Sequence, residues 1–229
     1  MVGAGGKTTL VYRLAAEARM VGLTVLVTTT THMGTLAEAT TGPVLVEAEA
    51  AIEEDLTRAL ATVGRATVLG RRVRPDKLEG LSPERVDALA ARAEVTLVEA
   101  DGARGRSLKV PAAHEPVIPR STTIVVVVAG LDALGRPLDA TSVHRLDLVT
   151  AATGAPEGMT ITPALVAAAL VHPSSYPSRV ARGMRGGVFL NKADDEAVMG
   201  EARAIAALLR PAYSFVVAGS ARSGVAAAL

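Results

Sequence analysis

The sequence predicts an α/β fold of three layers, in which a mostly parallel sheet has helices on both faces. Three observations predict this class. A glycine-rich loop leads directly into an amphipathic helix near the start of the chain. Short apolar runs rich in valine recur along the rest of the sequence, and helical patterns separate them. We expect a single domain over residues 1–229, because a chain of this length can bury a sizeable core.

The segment Gly3–Thr9 is a candidate phosphate-binding loop. Its glycines let backbone N–H groups crowd around an anion, which a Cβ would obstruct. Lys7 adds a mobile positive charge, and the hydroxyl of Thr8 can ligate Mg²⁺. The helix that follows has a dipole that favours phosphate at its N-terminus. We therefore predict that Lys7 is catalytic and that the phosphates are bound by Gly3, Ala4, Gly5, Gly6, Lys7, Thr8 and Thr9.

Two features of this loop differ from the full P-loop motif. Met1 stands where the full motif has its first glycine, so the loop is the shorter G-x-x-G-K-T-T form. A buried strand normally precedes such a loop, yet only Met1 and Val2 precede Gly3. We expect the recorded sequence to begin inside the first strand; the alternative is a sheet that lacks this strand. A glycine-rich turn before an ordinary helix is the less specific interpretation.

Buried strands are predicted at four points between the loop and the middle of the chain. The run at 23–27 is apolar and β-branched, and the most apolar run, at 122–129, should be a central strand. Further candidates are a short run at 44–46 and another strand at 66–70. The charged residues 71–81 are expected to form a surface connection, before a helix that Ser82 caps.

Carboxylates follow another predicted strand, which begins at Val95. An acid at the tip of a buried strand is what a Mg²⁺ site of a nucleotide-binding protein requires opposite the hydroxyl of Thr8. We predict that Asp101 ligates the metal with Thr8, and that Glu99 orients a water molecule or a second-sphere partner. Both acids are candidate catalytic residues. A solvated strand end is the alternative.

Polar and cationic residues near these strand ends are candidates for binding a second substrate. Thr30 belongs to a run of four threonines, at 28–31, at the carboxyl end of a strand, where ligands bind in open α/β sheets. Guanidinium and ammonium groups just after the predicted acid could grip a nucleotide tail or an anionic acceptor. Solvated loop or helix surfaces are equally good interpretations of these cations. The remaining candidates are Arg104, Arg106, Lys109, His144 and Arg145.

An N-K-x-D element follows a further predicted strand and indicates guanine recognition. Its members are Asn191, Lys192 and Asp194. An aspartate accepts hydrogen bonds from guanine N1–H and N2–H₂ together, an arrangement that adenine does not offer. The lysine stem is expected to pack on the base, and the asparagine to tie the loops together. After a helix and another strand come Ser220 and Ala221, similar to the element whose backbone N–H meets guanine O6; GTP is therefore favoured over ATP.

The composition excludes several classes of protein. A formal net charge of +1 argues against binding nucleic acid by neutralising phosphates, and aromatic residues, at 2%, offer no platform for base stacking. The chain has no cysteine, which excludes disulfides, thiolate metal sites and a thiol-bound intermediate. The longest apolar run, at 124–131, is too short to cross a bilayer. We expect a cytoplasmic protein that binds neither nucleic acid nor membrane.

Over nearly its whole length the sequence resembles the selenium-dependent molybdenum hydroxylase accessory proteins, also called YqeC-type selenium cofactor biosynthesis proteins. The resemblance implies a P-loop nucleotide-binding fold and a role in maturing selenium-containing molybdenum hydroxylases. It implies molybdenum hydroxylases or other cofactor-assembly proteins as partners. The short N-terminus departs from the family pattern. The resemblance rests on the segments 3–9, 28–31, 99–106, 109–111, 114–119, 130–135, 144–145 and 191–194.

The sequence thus predicts a Mg²⁺-dependent NTPase, with GTP favoured, that acts in assembly of a selenium–molybdenum cofactor. A phosphoryl transferase of the P-loop kinase type, acting on a cofactor intermediate, is one alternative. In that case Arg104, Arg106 and Lys109 would hold the acceptor. A nucleotide-gated scaffold or chaperone with little hydrolysis is the other alternative.

Overall fold

The structure is a computed structural model that describes residues 1–34, 38–47, 51–75 and 77–229. Its α/β class with mostly parallel sheets confirms the fold class expected from the sequence. Two compact units divide the chain. The first unit contains residues 1–7, 102–116 and 123–229, and the second contains 8–101 and 117–122. The single domain expected over residues 1–229 stays a prediction, because the division into two compact units does not show whether they fold together.

The strands and helices are numbered in chain order. The strands are β1 (Val2–Gly3), β2 (Val25–Thr29), β3 (Met33–Gly34), β4 (Val44–Val46), β5 (Arg65–Leu69), β6 (Arg72–Arg74), β7 (Lys77–Leu78), β8 (Val95–Glu99), β9 (Leu108–Lys109), β10 (Ile124–Gly130), β11 (Val143–His144), β12 (Arg185–Asn191), β13 (Phe215–Ser220) and β14 (Val225–Ala228). The helices are α1 (Lys7–Met20), α2 (Glu38–Thr41), α3 (Ile52–Thr62), α4 (Pro83–Ala90), α5 (Leu146–Thr153), α6 (Pro163–Val171) and α7 (Glu196–Leu209).

The first unit is built on a sheet with the strand order β1-β10-β12-β13-β14. The first three pairings are parallel, and β14 closes the sheet antiparallel to β13. Strand β10 lies inside the sheet between β1 and β12, as predicted from its run of valines. Its Val127 and Val128 are almost completely shielded from solvent. A small parallel ladder joins β9 to β11 in the same unit.

The second unit is built on a fully parallel sheet with the order β4-β5-β2-β8. Helices α3 and α4 bury an apolar face in its core, which includes Leu56 and Leu89. The cap predicted for α4 is confirmed, since the Ser82 hydroxyl accepts a hydrogen bond from Arg85 N–H at 3.2 Å and Pro83 is the first helical residue. This sheet places the carboxyl ends of β2 and β8 side by side, with Thr29 opposite Glu99.

The prediction of a plain surface connection over 71–81 is wrong in part. Strands β6 and β7 lie within it and form an antiparallel sheet with β3. Charged residues fill the exposed strand β6, but Leu78 and Leu81 are buried. The sequence analysis missed these two buried leucines because each is a single apolar residue among polar or glycine neighbours in a charged segment.

In the part of the chain that the structure describes, no helix is long and apolar enough to span a membrane.

Candidate functional site

The candidate phosphate loop lies in the first unit up to Lys7, against the carboxyl end of β10. Ala4 N–H donates to Val128 O, and Gly5 N–H donates to Arg106 O, both at 2.8 Å. Gly5 has a φ of +85°, and a Cβ built on it would lie 2.2 Å from Gly130 N. Only glycine fits this position, because a side chain would meet both backbone strain and a steric clash. The hydrogen bonds from the Ala4 and Gly5 N–H groups to Val128 and Arg106 thus hold the loop in place.

Helix α1 begins at Lys7, so the N–H groups of its first turn have no carbonyl within the helix to bond. The Lys7 side chain is 4% exposed, and its ammonium donates to Gly3 O at 2.7 Å. The ammonium thus lies across its own loop. An anion at the loop would meet the Lys7 charge together with the positive end of the helix dipole. Next along the chain, Thr8 is half-buried and Thr9 is exposed.

Asn191, from the predicted base-reading element, is buried against this loop at the end of β12. Its Nδ2 donates to Gly5 O at 2.7 Å, and its Oδ1 accepts from Ala221 N–H at 2.9 Å. Gly6 has a φ of +115°, and a Cβ there would lie 2.4 Å from Asn191 Nδ2. One side chain therefore fixes both the phosphate loop and the segment that follows β13. This is the tying role that the sequence assigned to Asn191.

The other members of the predicted base-reading element differ in their surroundings. Lys192 has a left-handed φ of +65°, and its ammonium lies 2.8 Å from Asp132 Oδ2 and 3.2 Å from Ser107 Oγ. This ion pair sets where its stem runs. Burial raises the pKa of Asp132, but the hydrogen bonds from Lys192 and Ser107 and the charges of Lys192 and Arg136 together outweigh this, and the net shift is downward.

Asp194 is exposed and has no hydrogen bond or ion pair with the described residues. Its neighbour Asp195 caps α7 by accepting from Val198 N–H at 2.8 Å. Asp194 is thus not needed for the helix cap. The buried Ala221 N–H, predicted to meet guanine O6, is used by Asn191 Oδ1, so a base carbonyl there would have to share or replace that bond. Ser220 is buried next to it.

The candidate metal residues lie in the second unit, where β8 ends. Thr8 Oγ1 donates to Glu99 Oε2 at 2.7 Å. Glu99 is 9% exposed and Asp101, two residues later, is 1% exposed. Hydroxyl and carboxylate oxygens are hard donors of the kind that Mg²⁺ prefers, so these residues fit that ion. Among the described residues, His, Cys, Asp and Glu side chains form no group of three or more that could hold a metal. A Mg²⁺ ion here would need further oxygens, from phosphate or water.

Four of the second-substrate candidates come together in the first unit, around an acid. We call Arg104, Lys109, Glu115, His144 and Arg145 the Lys109–Glu115 cluster. Lys109 is fully buried, and its ammonium donates to Gly102 O at 2.6 Å and lies 3.0 Å from Glu115 Oε2. Arg145 Nε donates to the same carboxylate oxygen at 3.2 Å. Strands β9 and β11 bring His144 opposite Lys109 in register.

Charge within this cluster shifts two pKa values. Burial raises the pKa of Glu115, but the hydrogen bonds from Arg145 and Lys109 outweigh it and lower the pKa to about 2. Burial and then the charge of Lys109 lower the pKa of His144, and the charges of Arg145 and Arg104 add to this, which favours the neutral imidazole. The Glu115 carboxylate is ionised at pH 7.

The remaining second-substrate candidates lie elsewhere. Arg106 follows Arg104 in the first unit; its carbonyl accepts from Gly5 N–H, and its half-buried guanidinium has no partner among the described residues. Thr30 lies in the second unit, where its hydroxyl donates to Val117 O at 2.6 Å. Its hydroxyl thus holds the segment at Val117 and is already used in a hydrogen bond within the protein.

Sequence reasoning missed three residues that contact the candidate site: Ser107, Glu115 and Asp132. Asp132 lies in a short 3₁₀ turn just after β10, and the rule that directed attention to the acids after β8 applies to it equally. Glu115 stands between two cationic segments, where an acid is a natural partner. No sequence signal distinguishes Ser107 from the other polar residues of its loop.

Comparison with known proteins gives a family assignment. Residues 1–147 match the model of the YqeC protein family. The chain belongs to this family. A relative from Escherichia coli (strain K12), described as uncharacterized protein YqeC, is 35% identical over 196 residues, which cover 84% of this chain and 74% of that protein. The family match includes the phosphate loop, the acids after β8 and the Lys109–Glu115 cluster, whereas the N-K-x-D element at 191–194 lies beyond it.

Proposed function

We propose that this YqeC-family protein binds a nucleoside triphosphate with Mg²⁺ and hydrolyses it, with GTP favoured over ATP. The observation that carries the proposal is the loop Gly3–Lys7. Its glycines adopt φ values that side chains disfavour, its lysine is buried across the loop, and α1 begins where the loop ends. Buried Asn191 links this loop to a second segment suited to base recognition. A glycine-rich turn serving only to start a helix would need none of these features.

The proposed roles follow from the contacts. Lys7 and the N–H groups at the start of α1 hold the phosphates. Thr8 and Asp101 would hold Mg²⁺, which would neutralise charge on the phosphate oxygens. Glu99 positions the Thr8 hydroxyl by accepting a hydrogen bond from it at 2.7 Å. A carboxylate in this place also suits the orientation of an attacking water, as the sequence suggested.

Guanine is the favoured base because Asp194 is exposed and unengaged, so its carboxylate is available to two donors of one base. The bond between Ala221 N–H and Asn191 argues in the other direction, since it takes up the predicted donor to guanine O6. The carboxylate is the stronger discriminator: hydrogen bonds to a charged group contribute about 1.5–3 kcal/mol each, against about 1 kcal/mol for a neutral one. ATP remains the alternative.

The biological role that we propose is maturation of selenium-dependent molybdenum hydroxylases in the cytoplasm. Its support is the resemblance of segments such as 99–106 and 114–119 to accessory proteins of that pathway. Molybdenum hydroxylases or other cofactor-assembly proteins would be the partners. Deleting the gene should leave those hydroxylases present but without selenium, as measured by elemental analysis of the purified enzyme. Full selenium content in the deletion strain would contradict this role.

The decisive test of the loop is nucleotide binding by Lys7→Ala. Removing the ammonium removes the charge closest to the phosphates, and we expect calorimetry with Mg²⁺ and GTP or ATP to show no measurable binding. Lys77→Ala is the matched control, because Lys77 lies on strand β7 and is not among the residues proposed to bind the nucleotide or the metal. Its affinity should equal that of the wild type. Retained binding by Lys7→Ala would overturn the loop assignment.

The same protein can be tested against the two alternative functions in a single-turnover assay. A hydrolase releases phosphate from one equivalent of nucleotide without any other component. A nucleotide-gated scaffold binds the nucleotide but barely releases phosphate unless a partner is added. A phosphoryl transferase releases little phosphate and labels an acceptor, and the cations of the Lys109–Glu115 cluster favour this outcome over the scaffold.

A further inference from the structure

The Lys109–Glu115 cluster has a buried, hydrogen-bonded inner part and an outer part with donor groups that no described residue uses. The inner part is the buried Lys109 with Glu115, whose Oε2 also accepts from Ala112 N–H at 3.2 Å. In the outer part, the side chains of His144 and Arg104 make no hydrogen bond with any described residue. Arg145 is partly exposed and uses only its Nε on Glu115. Donor groups of three side chains are therefore available at one place.

Backbone strain in this cluster also points to a ligand. Arg104 has a φ of +48° and Arg145 a φ of +60°, and these are two of only three such non-glycine residues in the described part of the chain. A left-handed conformation costs a residue with a side chain about 1–2 kcal/mol, and strain of this kind gathers at binding sites. Neither arginine donates to a carbonyl of its own turn in return. The strain instead sets where two guanidinium groups leave the backbone.

The cluster lies close to the phosphate loop within the first unit. The carbonyl of Arg106 accepts from Gly5 N–H, and Lys109 is three residues further along. Gly5 and Arg106 lie about 5 Å apart, three residues span at most about 10 Å, and paired strands lie about 5 Å apart, so His144 is within about 20 Å of Gly5. This separation suits two substrates that react with each other. The intervening Arg106, with its unpartnered guanidinium, would lie between them.

We infer that Arg104, His144 and Arg145 bind a tetrahedral oxyanion group, of the phosphate type, on a second substrate. Arg104 and Arg145 bring two guanidinium groups to the outer part, and of these only Arg145 Nε is used on Glu115, so the remaining donors can hold an anion. A tetrahedral oxyanion presents three or more oxygens to three separate donor groups, whereas a carboxylate presents two. The inference deepens the proposed function, on which it rests for its second substrate, by giving that substrate a chemical class.

The test uses inorganic phosphate as the probe and the imidazole of His144 as the reporter. Phosphate is titrated into full-length protein, and the Cε1–H proton resonance of His144, identified with His144→Gln, is followed by NMR. We expect a saturable shift in both the wild type and Lys7→Ala, the second of which removes phosphate binding by the loop. Acetate should bind at least tenfold more weakly than phosphate.

Two variants then probe the arginines. Arg104 is exposed and its side chain has no hydrogen bond or ion pair with the described residues, so Arg104→Ala should fold normally. Arg145→Asn introduces a residue that tolerates the positive φ of this position. Each should weaken phosphate binding about tenfold, whereas Arg210→Ala, at the exposed end of α7, should leave it unchanged. An absent or unsaturable shift, or unchanged affinity in both arginine variants, would overturn the inference.

A shift that disappears in Lys7→Ala would also overturn it, since it would place the phosphate at the loop. Failure of the proposed function looks different: the nucleotide would not bind, while the phosphate titration in Lys7→Ala would still saturate. The two proposals can therefore fail separately.

Discussion

Asp194→Asn offers the sharpest test of base recognition, because the Asp194 side chain makes no contact that folding would need with any described residue. The side chain is exposed and has no hydrogen bond or ion pair with the described residues, so the substitution should leave the free energy of unfolding unchanged. A carboxylate that accepts from guanine N1–H and N2–H₂ makes two hydrogen bonds to a charged group. Each contributes about 1.5 kcal/mol at the low end that suits an exposed site, or about 3 kcal/mol together, which is roughly a 100-fold preference.

An asparagine at this position reverses the preference for one analogue. Its amide can donate to the carbonyl that xanthine carries where guanine has its amino group, so Asp194→Asn should lose GTP affinity about 100-fold and gain affinity for XTP. Calorimetric titrations with GTP, ATP and XTP in the presence of Mg²⁺ measure this directly. If ATP binds the wild type as well as GTP does, and the substitution changes neither affinity, the N-K-x-D element has no part in base recognition here.

Asp195→Ala is the matched control for this substitution. Asp195 accepts from Val198 N–H at the start of α7, so its loss should cost about 1 kcal/mol of stability. Base preference should stay as in the wild type. The two substitutions would then show that Asp195 caps the helix and Asp194 recognises the base.

Three further predictions concern the fixed parts of the site. Asn191→Ala leaves Gly5 O and Ala221 N–H without their buried partner, which should cost about 2–4 kcal/mol in urea unfolding; an unchanged midpoint would contradict the linking role of Asn191. Glu115 has a pKa of about 2 in the folded protein against 4.5 ordinarily, so it stabilises the fold fully above pH 4.5, and up to about 3 kcal/mol is lost as the pH falls towards 2. Glu115→Gln should remove that part of the pH dependence of unfolding, and an unaltered acid limb would contradict it. Glu99→Gln should raise the Mg²⁺ concentration needed for half-maximal hydrolysis several-fold while Mg²⁺-free nucleotide binding stays constant; loss of binding in both conditions would instead indicate a damaged loop.

The fold could be predicted where local sequence alone decides it. The valines of β10 admit few structures other than a buried strand, and the Ser82–Pro83 pair marks the start of α4 by its own hydrogen bond and fixed φ. Strand β14 escaped prediction because Val225–Ala228 are exposed, alanine-rich and without alternation. Its existence depends on pairing with β13, a contact that a window of sequence does not show.

The same division applies to the candidate site. Gly3–Thr9 could be recognised because the glycine conformations and the helix start are properties of one short segment. The contact of Asn191 with Gly5 joins residues far apart in the chain, and only the known function of an N-K-x-D element suggested it. Nothing comparable pointed to Asp132 as the partner of Lys192. Pairings of this kind depend on which strand ends the sheet brings together, and a one-residue change of register would alter them.

The bond between Thr8 and Glu99 bears on how the two acids divide their work. A hydroxyl has one proton to donate and two lone pairs with which to accept or ligate. Because the Thr8 hydroxyl donates its hydrogen bond to Glu99, its lone pairs are turned away from that carboxylate and are available to a cation. In the proposed Mg²⁺ site Glu99 would therefore orient the hydroxyl, and Asp101, which is also buried but lies two residues beyond, would share the cation with Thr8. The hydrogen bond supports the prediction in which Asp101 ligates and Glu99 positions over one in which the two acids exchange roles.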